Sequence, residues 1–358
     1  MNVFPMEDRL PHGVGRAAYL EITAYPVEQL PCDVDVSDNA NLFGAPPAAM
    51  RELRALDDGM VARYPGAGSR ALRETLAAYA AVPGECIIAG CGSDDLLDAA
   101  LRAFADPGEA VAFTEPVFGM VPRLASANSL LPVGVPRGAD GDIDVPALLA
   151  TNARIVYICA PDNPTGAPVS MRSLAAILES ARGLVVIDEA YIEFCGETNV
   201  CEVVRHERAL VVRTLSKAWG MAGLRLGYAI GTPAVIHEVG KASRPFTVNA
   251  LVERAAIATL SEDSDWMREC VRDTVMLRER LALALRDLGC EPLPSATNFL
   301  CVPLPQAVTV ARRMHELGVR VRAFPWLAGI GPALRVGIGP WPLMQRVLAA
   351  FAEARQCV

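Results

Sequence analysis

Short apolar runs alternate with helical stretches through the middle of this chain, and the alternation limits the folds that it can adopt. Runs of β-branched and other apolar residues predict strands at 85–89, 110–113, 131–135, 154–159, 184–187 and 210–214. Helices are predicted between many of them, at 94–105, 117–127 and 170–181. Strands and helices in alternation form a mostly parallel sheet with helices on both faces. The chain is therefore predicted to be an α/β protein.

The pattern changes after about residue 246. The remainder predicts helices at 265–288, 306–317 and 342–354, a strand at 299–303, and two short strands near 319–322 and 333–338. This order is typical of a smaller α+β unit. We therefore predict an N-terminal arm at 1–40, a large α/β domain at 41–245 and a small C-terminal domain at 246–358. The arm is expected to pack with the small domain or with a partner subunit.

Composition excludes several classes of protein. A hydrophobic content of 52% indicates a globular chain, and a net charge of −8 gives no electrostatic footprint for nucleic acid. No apolar run approaches the length of a membrane-spanning helix, and the first residues lack the pattern of a signal peptide. The ten cysteines form no Cys-x-x-Cys pair, and the four histidines show no metal-ligand spacing. We expect a cytoplasmic protein without a bound metal.

The chain has only two lysines, Lys217 and Lys241, among 33 basic residues. Arginine carries a positive charge at least as well as lysine, but it does not become a neutral amine nucleophile. A lysine that is kept in such a chain is therefore a candidate for amine chemistry, such as a Schiff base with a carbonyl compound. The alternative is that both lysines are accidents of an arginine-rich composition.

Three polar segments directly follow predicted strands, at 161–166, 188–191 and 216–217. In sheets of this type ligands bind beyond the carboxyl ends of the strands, so these segments are expected to converge. Asp188 ends a buried apolar run and needs a partner, which could be the protonated pyridine nitrogen of pyridoxal phosphate. Tyr191 and Asn163 could bind the ring oxygen of the same cofactor. Alternatively, Asp188 caps the next segment, Tyr191 is a core aromatic and Asn163 belongs to an ordinary turn.

A glycine-rich turn precedes Ser93 and Asp94 at the start of a predicted helix. Such a turn directs backbone N–H groups at an anion, here a cofactor phosphate. Thr214, Ser216 and Arg225 add hydroxyl groups and a fixed cation. The alternative is a well-capped helix. The chain lacks a Gly-x-Gly-x-x-Gly with the acidic residue that a dinucleotide site requires.

Phe118, Arg322 and Arg335 are further candidates. Phe118 follows a predicted strand, where an aromatic ring could stack on a pyridine or belong to the core. Arg322 and Arg335 each lie at an end of a short strand. Guanidinium groups bind carboxylates and phosphates through two hydrogen bonds, although either residue could instead form a surface ion pair.

Taken together, these motifs resemble a known family. The order of Asn-Pro-Thr-Gly, Asp-Glu-Ala-Tyr, Ser-Lys and Gly-Leu-Arg is similar to that of the class I/II aminotransferases, which are pyridoxal-phosphate enzymes of fold type I. The resemblance extends from about residue 39 to residue 335. Within the family, the segments 188–194 and 214–228 are most similar to the histidinol-phosphate aminotransferases.

The resemblance implies a role for each candidate. Lys217 would bind the cofactor covalently and move the proton, and Tyr64 would reach the phosphate from the other subunit of a homodimer. The implied cofactor-binding residues are Ser93, Asp94, Phe118, Asn163, Asp188, Tyr191, Thr214, Ser216, Arg225 and Tyr64. The implied substrate-binding residues are Tyr25, Asn41, Arg322 and Arg335. Arg335 would hold the amino-acid carboxylate, while Arg322 and Tyr25 would hold a substrate phosphate. Glutamate and 2-oxoglutarate are the expected second substrate pair.

Some segments depart from the family pattern and leave other substrates open. The family's Asn-Glu-Asn-Pro-Tyr-Gly is Asn-Ala-Asn-Leu-Phe-Gly at 39–44, the usual segment after Arg335 is changed at 339–344, and 324–327 is apolar. An aromatic or specialised-pathway aminotransferase and a threonine-phosphate-type decarboxylase are the alternatives. A pyridoxal-phosphate-bearing regulator is disfavoured, because about 40 residues are too few for a helix-turn-helix domain.

Overall fold

The computed structural model describes residues 15–20, 22, 31–66, 68–138, 140–196 and 198–356. The strands are β1 Val34–Asp35, β2 Ile87–Gly90, β3 Ala110–Glu115, β4 Leu131–Pro136, β5 Ile155–Cys159, β6 Leu184–Asp188, β7 Ala209–Thr214, β8 Gly227–Gly231, β9 Phe299–Pro303, β10 Val319–Arg320, β11 Arg322–Leu327 and β12 Gly331–Gly337. The helices are α1 Ala17–Leu20, α2 Pro47–Arg54, α3 Asp58–Ala62, α4 Arg70–Ala80, α5 Ser93–Phe104, α6 Met120–Ala127, α7 Val145–Ala150, α8 Met171–Ser180, α9 Ile192–Cys195, α10 Val200–Val203, α11 Pro233–Ala242, α12 Ala250–Glu262, α13 Ser264–Asp287, α14 Ala307–Glu316 and α15 Trp341–Gln356.

A seven-stranded sheet forms the centre of the molecule, in the order β2-β8-β7-β6-β5-β3-β4. Strand β8 runs antiparallel to both of its neighbours, and the other six strands run parallel. Every residue of β5, β6 and β7 is buried, and one hydrophobic cluster packs on each face of the sheet. The prediction of a mostly parallel sheet between two layers of helices is confirmed.

Strand β8 is the member of this sheet that the apolar pattern does not predict. It begins and ends with glycine, a residue that is depleted in strands because it has no side chain to pack. Close packing explains why residue 227, at the start of β8, is a glycine. A Cβ at Gly227 would lie 2.4 Å from the backbone nitrogen of Ser93, so a side chain there would push the start of α5 out of place.

A second, smaller unit surrounds a three-stranded antiparallel sheet in the order β11-β12-β9. The stretch 319–322, predicted as one strand, is in fact divided. Strand β10 pairs with β1 in a separate two-stranded sheet, whereas β11 begins at Arg322 and pairs with β12. The prediction of a single strand was wrong because the chain changes sheets at Val321, which sequence periodicity does not reveal.

Neither hydrophobic core is built from one continuous stretch of the chain. Val34 and Val36 pack into the core of the smaller unit, although they precede the large sheet. Helix α12 lies in the core of the larger unit, and α13 contributes to both cores, with Met267 in the first and Leu281 in the second. The domain division at residue 246 stays a prediction. The change from the larger core to the smaller one falls within α13.

A buried ion pair joins the ends of β6 and β7. Glu189 is completely buried and accepts hydrogen bonds from Arg213 Nε and Nη2, at 2.9 and 2.8 Å. Thr198 and the backbone and side chain of Asn199 donate to the same carboxylate. A buried charge is tolerated when it is paired and fully hydrogen-bonded, as it is here. This network fixes the backbone on the C-terminal side of Asp188.

Replacing Arg213 with Met should lower the free energy of unfolding by about 3–5 kcal/mol, because the Glu189 charge would stay buried without its cation. Urea denaturation of the cofactor-free protein, followed by circular dichroism, measures the change. The matched control is Arg51→Met, which removes an exposed arginine that pairs with Glu262 at 2.7 Å. We expect no measurable shift from the control. Equal shifts in the two variants would contradict the prediction.

Candidate active site

The chemically suggestive residues converge at one edge of the large sheet. Asn163, Asp188 and Lys217 lie at or beyond the carboxyl ends of β5, β6 and β7, which run parallel. Strand β2 is parallel to β7, because both pair antiparallel with β8, so Ser93 follows β2 at the same edge. The topology therefore places one residue from each of four strand ends around a common site.

Asp188 is a buried carboxylate, with 3% of its surface exposed. Its Oδ2 accepts a hydrogen bond from the Tyr157 hydroxyl at 2.7 Å, and its Oδ1 accepts one from the Ala190 backbone N–H at 3.0 Å. Burial raises the pKa of Asp188 to about 6, although the Tyr157 hydroxyl acts in the opposite direction. No cation within the described residues forms an ion pair with it. A buried carboxylate of this kind is suited to pair with a cationic ligand.

Lys217 has the character of an amine nucleophile. Its Nζ donates a hydrogen bond to the backbone oxygen of Asp38 at 2.9 Å and lies 6.0 Å from the centre of the Tyr191 ring. Burial, followed by the nearby positive charge of Arg335, lowers the pKa of Lys217 to about 8. A sizeable fraction of the amine is therefore neutral at mildly alkaline pH, as a bond to a carbonyl carbon requires.

Tyr191 is positioned to donate its phenolic proton. The Asn39 side-chain N–H donates to the Tyr191 oxygen at 3.0 Å, which leaves the tyrosine O–H available to a ligand. Burial raises the pKa of Tyr191, so the phenol stays neutral. Asn163 is also buried, and its side-chain oxygen accepts a hydrogen bond from Arg335 Nη1 at 2.7 Å. The amide NH₂ is therefore the group that Asn163 can offer to a ligand.

A cradle with the character of an anion site forms at the start of α5. Gly92 has a φ of 83° and precedes the first turn of that helix. A Cβ at Gly92 would lie 2.7 Å from Arg225 Nη2, so the guanidinium packs directly on the glycine. The hydroxyl groups of Thr214 and Ser216 are buried and lie 2.8 Å apart. Helix N–H groups, two hydroxyls and a cation fit a phosphate group.

Asp94 lies in the first turn of α5, with its carboxylate 3.6 Å from Arg225 Nη2. Burial raises the pKa of Asp94, and the charges of Arg225 and Lys217 oppose that rise. The carboxylate helps to orient the guanidinium beside Gly92.

Two arginines lie side by side on adjacent strands of the small sheet. Arg322 and Arg335 are direct partners in the β11–β12 ladder, so both side chains leave the same face. Arg335 is partly buried and donates to Asn163 and to the Ser37 backbone oxygen at 2.7 Å, whereas Arg322 is exposed. Burial and the charge of Arg322 lower the pKa of Arg335. Like charges directly opposite each other are unfavourable, so the pair is suited to an anionic ligand.

Other predicted residues lie in different settings. Asn41 donates to the backbone oxygen of Ala218, at 2.9 Å, directly beside Lys217. Phe118 is partly buried against the core on one face of the sheet. Tyr64 is 86% exposed, and its ring centroid lies 5.2 Å from that of Phe246. Within one subunit it is therefore not part of the site. Tyr25 lies outside the described residues.

The structure adds residues that the sequence does not point to, above all Tyr157 and Asn39. Tyr157 reads as one apolar residue in a strand, and Asn39 as part of a loop. A signal for Tyr157 exists in the strand register, because β5 pairs with β6 so that Cys159 lies opposite Asp188 and Tyr157 shares their face. Asn39 has a φ of 58°, a backbone conformation that asparagine tolerates better than most residues.

The part of the chain that the structure describes offers neither a metal site nor a membrane span. It contains no group of three or more His, Cys, Asp or Glu side chains that could hold a metal ion. It also contains no helix that is long and apolar enough to span a membrane. None of the nine cysteines in that part forms a disulfide.

Comparison with known proteins agrees with this geometry. The family model described as aminotransferase class I and II matches residues 33–351. A histidinol-phosphate aminotransferase from Caldanaerobacter subterraneus subsp. tengcongensis is 33% identical over 338 residues, which cover 92% of this chain and 95% of that protein. An aromatic amino acid aminotransferase from Corynebacterium glutamicum is 34% identical over 320 residues, which cover 87% and 92% of the two chains.

A solved structure has the same architecture. The crystal structure of histidinol-phosphate aminotransferase from Sinorhizobium meliloti, in complex with pyridoxal-5'-phosphate, superposes with a TM-score of 0.83. It is 26% identical to this chain, and the match covers 92% of each chain. The family and fold that the motifs predict are thereby confirmed. With a family match over most of its length and a site at the carboxyl ends of parallel strands, this chain belongs to the class I and II aminotransferases.

Proposed function

We propose that this aminotransferase uses pyridoxal 5'-phosphate to transfer the amino group of histidinol phosphate to 2-oxoglutarate, forming imidazole-acetol phosphate and glutamate. The observation that carries the substrate assignment is the Arg322–Arg335 pair. Arg335 is partly buried beside Asn163, and Arg322 is exposed on the same face of the small sheet. Two separate cations suit a reaction in which a phosphate and a carboxylate must be bound in turn.

The residues at the sheet edge fit the cofactor. Asp188 would hold the pyridine nitrogen, Asn163 and Tyr191 would hold the ring oxygen, and Lys217 would form the covalent bond. Phe118 would stack on the ring. The residues that would hold the phosphate are Ser93, Asp94, Thr214, Ser216 and Arg225. When bound, pyridoxal phosphate withdraws electrons from the substrate's Cα and so weakens the bond to its proton.

The proton transfer is the work of Lys217. With its pKa lowered to about 8, chiefly by burial, Nζ can accept a proton from the substrate's Cα and later return it. The neighbours of Nζ serve to orient it, since the Asp38 backbone oxygen accepts its hydrogen bond and the Tyr191 ring lies beneath it. Arg335 would fix the substrate carboxylate through the fork that now binds Asn163 and Ser37.

A second candidate substrate is an aromatic amino acid. Its support is the apolar surface next to Arg335, whose guanidinium lies 5.8 Å from the Phe324 ring. Trp326 follows on the same strand with 73% of its surface exposed. The Corynebacterium relative is named for this activity. A planar ring without a phosphate could pack on such a surface and would make no use of Arg322.

We further propose a homodimer in the cytoplasm. Leu56, Val61, Tyr64 and Phe246 expose apolar surface around α3, a helix with no buried residue in the single subunit. Surface of this kind is typical of an interface, and Tyr64 from one subunit would reach the other's cofactor phosphate. Nine described cysteines that form no disulfide favour a reducing compartment.

Lys217 should be the residue that binds the cofactor covalently. We would mix the apoprotein with pyridoxal phosphate at pH 6 to 11, reduce with borohydride and map the labelled peptide. The initial rate of labelling should rise with pH and level off above about pH 8, because only the neutral amine reacts and burial lowers the Lys217 pKa. Lys217→Arg should abolish the label. Lys241→Arg is the matched control, since Lys241 is an exposed partner of Glu238. Labelling of Lys241, or a rate still rising above pH 10, would contradict the assignment.

Arg322 should decide between the two substrates. Losing a charge that is hydrogen-bonded to a ligand costs about 2–5 kcal/mol. Arg322→Ala should therefore lower kcat/KM for histidinol phosphate by roughly tens- to thousands-fold. The value for phenylalanine should change little, and the exposed control Arg313→Ala should change neither. Equal losses for both donors, or no reaction with histidinol phosphate in the wild type, would favour the aromatic substrate.

The dimer is tested by light scattering combined with activity. We expect a mass of two chains, and Tyr64→Glu should weaken both association and cofactor retention, because it puts a charge into the proposed interface. Trp326→Glu places the same charge on another exposed aromatic and should leave the mass unchanged. A wild-type protein that is monomeric and fully active at the assay concentration would exclude a shared site.

A further inference from the structure

We propose that Tyr157 is a positioning residue that holds the Asp188 carboxylate, charged and correctly oriented, against the ring nitrogen of the cofactor. This inference rests on the proposed function, since it assumes that Asp188 receives the nitrogen. Tyr157 itself would not touch the cofactor. It would act through one hydrogen bond, from its hydroxyl to Asp188 Oδ2 at 2.7 Å.

The strand register brings Tyr157 to Asp188. In the parallel pairing of β5 with β6, Tyr157 lies opposite Val186, and Cys159 lies opposite Asp188. Residues two apart on a strand share a face, so Tyr157 and Asp188 lie on the same face of the sheet. The Tyr157 ring packs in the core on that face, and its hydroxyl reaches the carboxylate. Both side chains are at least 97% buried, with 2% and 3% of their surfaces exposed.

In this hydrogen bond Tyr157 is the donor and Asp188 is the acceptor. Burial raises the pKa of Tyr157 far above its ordinary value, so the phenol stays neutral and donates to the carboxylate. Burial also raises the pKa of Asp188, and the charges of Asp94 and Glu189 act in the same sense. The Tyr157 hydroxyl and the Ala190 backbone N–H oppose this rise. Of these two donors, only the phenol depends on the identity of a side chain.

The hydrogen-bond geometry leaves room for the cofactor. A carboxylate oxygen can accept two hydrogen bonds, and here Oδ1 accepts from Ala190 and Oδ2 from Tyr157. A donor on each oxygen fixes rotation of the carboxylate about the Cβ–Cγ bond. Each oxygen keeps one further acceptor position. The Asp188 carboxylate is therefore held in one plane before any ligand arrives, which lowers the cost of binding one.

The test removes only the hydroxyl group. The holoenzyme is prepared with pyridoxal phosphate labelled with ¹⁵N at the ring, and the nitrogen resonance is recorded for the wild type and for Tyr157→Phe. Without its donor the carboxylate is more basic, so the shared proton should move toward Asp188. The ¹⁵N resonance should shift toward that of an unprotonated pyridine, and pyridoxal-phosphate affinity should fall roughly tenfold, as expected for one hydrogen bond to a charged group.

Tyr228→Phe is the matched control. Tyr228 is also completely buried, and its oxygen lies 3.5 Å from Arg213 Nη1, away from Asp188. The same loss of one buried hydroxyl should leave the ¹⁵N resonance in place. A double-mutant cycle with Asp188→Asn adds a second readout, because Tyr157→Phe should cause no further loss of affinity once the carboxylate is gone.

The outcomes separate this inference from the function on which it rests. A wild type that binds no pyridoxal phosphate, or that has an unprotonated ring nitrogen, overturns both. A protonated nitrogen that Tyr157→Phe leaves unchanged, or that Tyr228→Phe shifts equally, overturns the role of Tyr157 alone. Should Tyr157→Phe fail to fold, 2,3-difluorotyrosine at position 157 retains the ring and is a stronger donor. The ¹⁵N resonance should then move in the opposite direction, and no movement would overturn the role.

Discussion

The burial of the Asp188 carboxylate is the constraint on which the rest of the site depends. A carboxylate loses hydration when it is placed at the end of a buried strand, and it stays charged only if donors and a cation compensate. Two donors are present in the protein, from Tyr157 and Ala190, and the pKa is nevertheless raised to about 6 by burial. What Asp188 lacks is a cation, so the site is suited to a ligand that carries a positive charge. The neighbouring Glu189–Arg213 pair satisfies the same requirement internally, and it holds the strand end rigid.

Both structural units are needed to complete the site. The large sheet supplies the residues around the cofactor position, whereas Arg335 comes from the small sheet and reaches across to Asn163. The segment 37–39 links the two units. Its three residues contact Arg335, Lys217 and Tyr191 in turn, through the Ser37 oxygen, the Asp38 oxygen and the Asn39 side chain. Asn298 donates to the Asn39 backbone oxygen and anchors this segment to the start of β9.

The sequence predicted the parallel strands and their carboxyl-end residues well, because an apolar run of five or six residues followed by a polar group is a local signal. It did not predict β8, since the close contact between Gly227 and Ser93 depends on a tertiary neighbour. It also merged β10 with β11, because the change of sheet at Val321 leaves no mark on periodicity. The sequence did not identify Tyr157 as a site residue for a related reason. Its role follows from strand register, which fixes neighbours that one strand cannot reveal.

The segment 37–39 has a consequence for the thermodynamics of binding. In this structure both terminal nitrogens of Arg335 already donate to protein oxygens, Nη1 to the Asn163 side chain and Nη2 to the Ser37 carbonyl, whereas its buried Nε has no hydrogen-bond partner among the described residues. A substrate carboxylate that displaces either of these oxygens exchanges one hydrogen bond for another, and that part of the measured affinity is the difference between the two arrangements. Lys217 donates to the backbone oxygen of Asp38, the next residue of the same segment, so the arginine and the amine are held by adjacent backbone groups. A carboxylate that displaced the Ser37 carbonyl would therefore act on the same segment that orients the lysine amine.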